Sequence, residues 1–414
     1  MLKRLHVQGF KSLIDVEVEF PALTVLFGPN AAGKSNLLDA LLVLSRLATE
    51  RTLADALSGP VRGSVVECFT FPEGGLPALL EQERARFTLE ADIEPKGGDR
   101  LRYQVGIEIH PRSGTLSVAD EYLSRLSTQG NPKGNPVVEV VGRQIHIRRK
   151  SKPAHPRTEP IGLNHTQLSD TRFSGVEYQW IERARKELST FRAYYLDPRV
   201  AMRQATPPKE VTDIGLLGEN LAPFLYRLRS LEEHKRHFNA VVRTLRSIIP
   251  SVESLAVDLD EKRGTLDIQI VQGGVTFSSR IVSEGTLRVL ALSALAANPW
   301  PGSLVAFEEP ENGVHPRRLE LIARLLGSLA IEQGLQVIVT THSPLFCQQI
   351  LAIQREQPQK VALLALRQEG GKTQCFPFEP RGPLFEDHEV RTALTSQQED
   401  GWFEGLVLRG LVDG

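Results

Sequence analysis

The chain has 414 residues, a formal net charge of −1 and an apolar share of 41%. Its length predicts two or three domains, or one domain with a large insertion, and the apolar share is ample for a core. The near-zero charge excludes attraction of nucleic acid by the molecule as a whole, so any such contact must come from a local patch. Three scattered cysteines, Cys68, Cys347 and Cys375, form no C-x-x-C pair and exclude a cysteine zinc site. No apolar run reaches membrane-spanning length and no signal peptide precedes the first strand, so the expected setting is cytoplasmic, with no membrane contact.

In chain order, Leu2 to Gly9 and Val16 to Phe20 alternate as strands, and the apolar run Leu23 to Phe27 reads as a buried strand. Next comes Gly28-Pro29-Asn30-Ala31-Ala32-Gly33-Lys34-Ser35, which fits G-x-x-x-x-G-K-[ST]. A leucine-rich helix is expected from Lys34 to about Leu47. Residues 50–80 read as irregular and 86–110 as an antiparallel hairpin. Residues 111–250 break the pattern, with a few strand-like pieces, a polar stretch at 150–175, and helical segments near 175–192, 217–230 and 232–248. This block reads as an insertion or lid. A hairpin is expected over 252–282, then helix, strand, helix and strand to residue 341, and a last hairpin turning at Gly370-Gly371. The expected division is 1–110, 111–250, 251–380 and a polar tail at 381–414.

Strand, glycine-bounded loop and helix make the first motif a phosphate-binding candidate. The loop's N–H groups and the helix N-terminus face an anion; Lys34 can reach outer phosphates, and the Ser35 hydroxyl can ligate Mg²⁺. The second motif, Leu304-Val305-Ala306-Phe307-Glu308-Glu309-Pro310, delivers two acids at the C-terminal end of a buried strand, where ligand sites of α/β folds lie. Strand alternation gives the two carboxylates different directions, so Glu308 suits Mg²⁺ and Glu309 suits orienting and deprotonating an attacking water. The third, Ser283-Glu284-Gly285-Thr286, opens a helix and offers N–H groups and a hydroxyl to an anion, as an ordinary N-cap also would. In the fourth, His342 ends the strand that follows the acidic one.

Taken together, GFKSL at 9–13, LFGPNAAGKSNLLDAL, VSEGTLRVLAL, AFEEPENGVHP and VTTHSPLF resemble the motifs of ABC-type ATPases of the SMC/RecF-like branch, in that family's order. More narrowly they are similar to the OLD and RecF-like AAA proteins. The resemblance covers about residues 1–110 and 265–365. It implies an α/β P-loop NTPase head of ABC type, with a mixed central sheet, an antiparallel β subdomain and an α+β insertion. It also implies ATP and Mg²⁺ as cofactors and a homodimer in which two heads close head-to-tail on two nucleotides. The loop from Gly28 to Ser35 and the following Asn36 would hold the phosphates, with Lys34 also catalytic. Lys11 and Ser12 match positions near the nucleotide. Ser283, Glu284 and Gly285 would touch the nucleotide held by the partner. Glu308 and Ser35 would hold the metal, Glu309 would be the base and His342 the switch histidine. Asn312 and His315 match the loop facing the dimer seam.

This chain departs from the family pattern in three ways. Glu308 stands where many relatives carry Asp. Gln82 is the nearest candidate for the glutamine ligand of the metal. Only residues 343–414 follow His342, too few for the nuclease domain of OLD proteins, so no nuclease in cis is expected. The run 143–157 holds six cations, Arg143, Arg148, Arg149, Lys150, Lys152 and Arg157, and no acid. It reads as a DNA-tracking patch or as a solvated loop. The expected function is an ATP-driven switch on DNA, in repair or phage defence, with a separately encoded effector; the alternative is a nucleotide-gated scaffold that holds a protein effector. A transporter subunit fits poorly, because SEGT departs from the transporter signature. Tyr194 and Tyr195 read as core and turn, while Asn164, His165, Arg199 and Arg203 receive no role.

Overall fold

The computed structural model describes residues 1–59 and 62–378; the expected tail at 381–414 lies outside them. Strands β1 (Leu2–Phe10), β2 (Leu13–Glu19) and β3 (Leu23–Phe27) lead into α1 (Lys34–Leu47), as the patterning predicts. The region read as irregular contains two short helices, α2 (Leu53–Leu57) and α3 (Gly75–Glu81). A run of strands follows: β4 (Ala85–Ile93), β5 (Leu101–His110), β6 (Thr115–Arg125), β7 (Val138–Val141), β8 (Gln144–Ile147) and β9 (Arg157–Pro160). Then come α4 (Gln179–Leu188), β10 (Phe191–Tyr194), α5 (Leu221–Ser230) and α6 (Lys235–Ile248). A meander of β11 (Val252–Asp260), β12 (Thr265–Gln272) and β13 (Val275–Ser278) precedes α7 (Glu284–Ala296) and β14 (Leu304–Glu308). The chain continues through α8 (Leu319–Ile331), β15 (Gln336–Thr341), α9 (Pro344–Glu356), β16 (Val361–Glu369) and β17 (Lys372–Pro377).

The chain divides into two compact units, each made of separate stretches. Among the described residues, the first comprises 1–21, 29–191 and 365–376; the second comprises 22–28, 192–364 and 377–378. The expected boundary at 110 falls between β5 and β6, which pair along nearly their whole length.

The first unit is built on an antiparallel sheet of order β2-β1-β4-β5-β6-β7-β8-β9. On β2, Val16 and Val18 point into the core while Asp15, Glu17 and Glu19 face out, the pattern of a sheet with one wet face. Strand β6 escapes sequence reading for a physical reason: two of its buried positions are Glu121 and Ser124, so it shows no apolar alternation. Glu121 is kept by hydrogen bonds. Its Oε1 accepts from the Tyr103 hydroxyl at 3.1 Å and Leu168 N at 3.0 Å, and its Oε2 accepts from Gln167 N at 2.7 Å. One carboxylate thereby ties the sheet to the 166–168 loop and satisfies two buried amides.

In the second unit, β14, β15 and β3 are parallel neighbours, in the order β14-β15-β3, with β16 beside β3. Every residue of β3 and β15 is buried, as expected of parallel strands covered on both faces. Helix α7 is buried nearly all round, including Leu287, Val289, Leu290, Ala291 and Leu292, so it packs as an interior helix. The expected hairpin at 252–282 gains a third strand, because Gly273 and Gly274, both at positive φ, turn the chain once more.

Burial pushes the Glu121 carboxyl up to about 7, against the hydrogen bonds from Gln167, Leu168 and Tyr103 that favour its ionised form. A folded-state value above the unfolded one means the native state binds the extra proton between about pH 4.5 and 7. Stability from this group is therefore present at low pH and lost as pH rises through that window, by about 3 kcal/mol at most. Glu121→Gln removes the titration. Urea unfolding at pH 5 and pH 7.5 should show the variant gaining on wild type at the higher pH; a difference independent of pH would refute the assignment.

Candidate functional site

The paired strands bring three motifs to one level. Glu308 at the end of β14 lies beside Thr340 of β15, and Thr341 lies beside Phe27 of β3. From these adjacent carboxyl ends emerge Glu309, His342 and Gly28. The register of a parallel sheet thus gathers residues more than 300 positions apart.

The loop after β3 has the backbone its glycines predict. Gly28, Ala31 and Gly33 take positive φ, at 147°, 66° and 97°. A Cβ on Gly33 would lie 2.2 Å from Thr373 Oγ1, so only glycine fits there. Lys34 is buried and its Nζ donates to Pro29 O at 2.8 Å, which lays the ammonium over the loop. Ser35, at the opening of α1, is half-buried. Asn36 Nδ2 donates to Ser12 Oγ at 2.8 Å, and Ser12 also bonds Thr373 Oγ1 at 2.8 Å, so the β1–β2 turn and the β16–β17 hairpin support the loop.

Lys11 (φ 50°) directs its ammonium to Asp39 of α1 at 2.6 Å and to Arg62 O at 2.9 Å. Arg62 bonds the same Asp39 carboxylate at 3.2 Å. Asp39 is fully buried and holds both cations, a role that sequence reading missed; its only signal was an acid within a leucine-rich helix. Beside it opens a cavity of about 800 Å³ lined by Lys11, Ser12, Arg62, Phe69, Phe71 and Gly370.

On the acid side, β14 ends at Glu308 and the chain turns sharply. Glu309 has φ 45°, left-handed backbone that a non-glycine residue holds at a cost of about 1–3 kcal/mol. Strand alternation thus ends at Glu308, and the direction of Glu309 is set by this turn. Glu309 N donates to Thr340 O at 3.0 Å. Its carboxylate is held on both oxygens, Oε1 by His342 Nε2 at 2.7 Å and Oε2 by Asn312 Nδ2.

Glu311 was not anticipated. It is buried, its Oε1 accepts from the Thr341 hydroxyl, and its Oε2 has no partner among the described residues. Burial first, and the Glu309 charge in addition, push its carboxyl up to about 7 against the Thr341 hydrogen bond. Arg288 of α7 feels Glu284, Glu309 and Glu311, although burial holds its guanidinium below the usual value. Asp197 acts on it in the same direction, so a cation at the head of α7 feels four acids.

Ser283 is the N-cap of α7. Its Oγ accepts from Thr286 N at 3.2 Å and bonds Thr286 Oγ1 at 2.8 Å. Gly285 packs so tightly that a Cβ would lie 2.2 Å from Gly313 O, in the loop that also carries Asn312 and His315. Glu284 pairs with Arg199 at 2.9 Å, and Arg203 donates to Arg280 O and to Val282 O at 2.7 Å. Arg199 and Arg203 thus clasp the segment that presents the SEGT turn. Ile281 and Val200 beside it are 69% and 67% exposed.

The remaining candidates lie elsewhere. Gln82 is the exposed C-cap of α3. Tyr194 is core, stacked on Phe307 with its hydroxyl on Asp213. His165 bonds the neighbouring Asn164 side chain at 3.1 Å. Of the six cations in 143–157, Arg148 pairs with Glu139 and Arg157 lies 3.4 Å from Glu159, while Arg143 and Lys152 are exposed.

The residues fit a Mg²⁺–nucleoside triphosphate. The Gly33 cradle admits no side chain, a buried ammonium overlies the loop, and a hydroxyl opens α1. Among the described residues, no group of three His, Cys, Asp or Glu could hold a metal alone. Mg²⁺ commonly takes one or two protein ligands and completes its shell with phosphate oxygens and water. No helix among the described residues is long and apolar enough to cross a membrane.

Comparison with known proteins agrees with this geometry. The DNA replication and repair protein RecF of a Synechocystis species is 37% identical over 105 residues, 24% of each chain. RecF of Acaryochloris marina is 47% identical over 55 residues, 13% of this chain and 15% of that protein. The matches thus span a quarter or less of the RecF proteins' length. An SMC head crystallised with the C-terminal winged-helix domain of ScpA superposes with a TM-score of 0.53 at 15% identity, covering 91% of this chain and 98% of that one. The fold is that of an SMC-like P-loop head. The family model described as "AAA domain, putative AbiEii toxin, Type IV TA system" matches residues 23–348. The chain belongs to that family, within the ABC-type ATPases of the SMC/RecF branch.

Proposed function

We propose that the chain binds ATP with Mg²⁺ on the phosphate loop, hydrolyses it, and uses the cycle to open and close a homodimer acting on DNA. One observation supports this most strongly: an acid on a left-handed turn is held on both oxygens by His342 and Asn312 at the carboxyl end of a strand in register with its neighbours. A carboxylate so fixed suits a general base that orients water. ATP supplies the transferable phosphoryl group; the chain's own residues position and neutralise it.

In this reading Lys34 and the loop amides of residues 28–35 neutralise phosphate charge, with Asn36 and Ser12 buttressing the loop and Lys11 tied to α1. Ser35 and Glu308 hold the metal, Glu309 accepts the proton of the attacking water, and His342 and Asn312 keep its carboxylate aimed. The SEGT turn faces a second copy. Two exposed apolar side chains, Ile281 and Val200, flank it, and Ser283 and Gly285 sit where α7 opens. In the DNA-acting role, repair or defence with a separate effector protein, the patch at 143–157 meets the phosphate backbone.

Glu309→Gln should keep ATP affinity within about threefold, lower turnover by at least about 100-fold, and accumulate as an ATP-bound dimer in size-exclusion chromatography. A variant with wild-type turnover would remove the proposed base. His342→Ala should lower kcat about 10- to 100-fold with little change in nucleotide Kd, since it frees the Glu309 carboxylate without touching the phosphate loop. Lys34→Ala should instead weaken ATP binding itself, read by titration with a fluorescent nucleotide. If the histidine and lysine variants behave alike, the assigned division of labour is wrong.

A further inference from the structure

The first unit contains a second concavity that the nucleotide reading does not use. It is a cavity of about 330 Å³ lined by Arg125 of β6, Arg148, Arg149 and Lys150 just after β8, and Trp180 of α4. No acid lines it. Its size lies at the lower end of the range for small-molecule pockets. β1 and β8 are five strand steps apart in the sheet, roughly 24 Å at ordinary strand spacing, so it is distinct from the phosphate loop's supporting turn.

The four cations are not equivalent. Arg148 is neutralised by Glu139 and donates to Pro136 O at 2.8 Å, so it shapes the wall. Arg125 lies 5.2 Å from the Trp180 ring centroid, with Asp99 no nearer than 3.9 Å. Arg183 lies 4.8 Å from the same ring. Arg149 and Lys150 have no ion pair among the described residues. Lys150 Nζ reaches only Gln179 Oε1, at 3.5 Å, and Arg149 Nε is buried with no hydrogen-bond partner. Glu177 feels both cations, but its carboxylate is engaged by the Ser151 backbone and hydroxyl.

A desolvated guanidinium nitrogen without an acceptor is costly, and a polar ligand oxygen would offset that cost. Arginine donors at fixed angles match the oxygens of a phosphate group, and a nearby lysine adds a point charge. We propose that this cavity is a phosphate-binding site, seating a phosphate group of a nucleic-acid strand or of a small phosphorylated ligand on Arg149, Lys150 and Arg125. For a nucleic-acid strand the assignment rests on the DNA contact proposed above for residues 143–157 and narrows it to this cavity; it stands apart from the ATP site, and failure of either of these two leaves the other intact.

The test is direct binding by fluorescence polarisation at low salt with the full chain. The probe is a labelled, 5′-phosphorylated 20-base-pair duplex, with its unphosphorylated twin, AMP and inorganic phosphate as competitors. Wild type and Lys34→Ala should bind alike, since the phosphate loop is not involved. Arg149→Ala/Lys150→Ala should bind at least tenfold more weakly, with a salt slope reduced by about one to two. The exposed Lys150→Glu, which disturbs no buried contact, should weaken binding in the same direction, guarding against misfolding of the double variant. Competition by AMP or inorganic phosphate would assign the site to a small phosphorylated ligand, and competition by duplex alone to the nucleic-acid backbone; both support it. Binding of no probe by wild type, or equal binding by both variants, would overturn it.

Discussion

The constraint on which the rest depends is the shared ending of β14, β15 and β3. These parallel strands are in register and end at nearly the same level, so the residue that follows each is delivered to the same edge. Glu309, His342 and Gly28 follow these strands. A one-residue slip would turn every side chain to the opposite face, and because β3 and β15 are buried throughout, every packing contact on both faces would have to be remade. The hydrophobic interior thus sets the chemistry at its rim.

Within each unit, charge is arranged in groups that rely on one another. Asp39 holds Lys11 and Arg62, Glu309 is fixed by His342 and Asn312, and Glu311 sits under Thr341. Removing one partner from such a set leaves an uncompensated buried group, which costs more than the pair contributes. The left-handed turn at Glu309 is held in the same way, by the strand amide bond to Thr340 and the two side-chain contacts. Strain at this position is maintained by its surroundings, as at many functional sites.

Much of this was legible in the sequence. β1 to β3, α1, the hairpin expected over 86–110 and the alternation of α7, β14, α8 and β15 follow from periodicity and glycine placement. What was not legible has a common cause. β6 buries Glu121 and Ser124, β9 lies in a polar stretch, and Asp39 and Glu311 are acids at interior positions. Patterning assumes that interior positions are apolar, and Glu121, Asp39 and Glu311 are instead held by partners far away in the chain. The direction of Glu309 was likewise out of reach, since strand alternation ends one residue before it. Ser283 is the opposite case: its capping role is local and readable, while a role across a dimer is not written in one chain.

The floor of the phosphate loop has a consequence for synthesis of the protein. Gly33 rests against Thr373, and β3 needs β15 and β16 on either side. A segment made among the first forty residues thus waits for partners made more than three hundred residues later. Such distant pairings are entropically slow to close. On the ribosome the floor of this loop stays open until Thr373 has emerged, so the loop of an N-terminal fragment lacks a support that its backbone has in the folded chain.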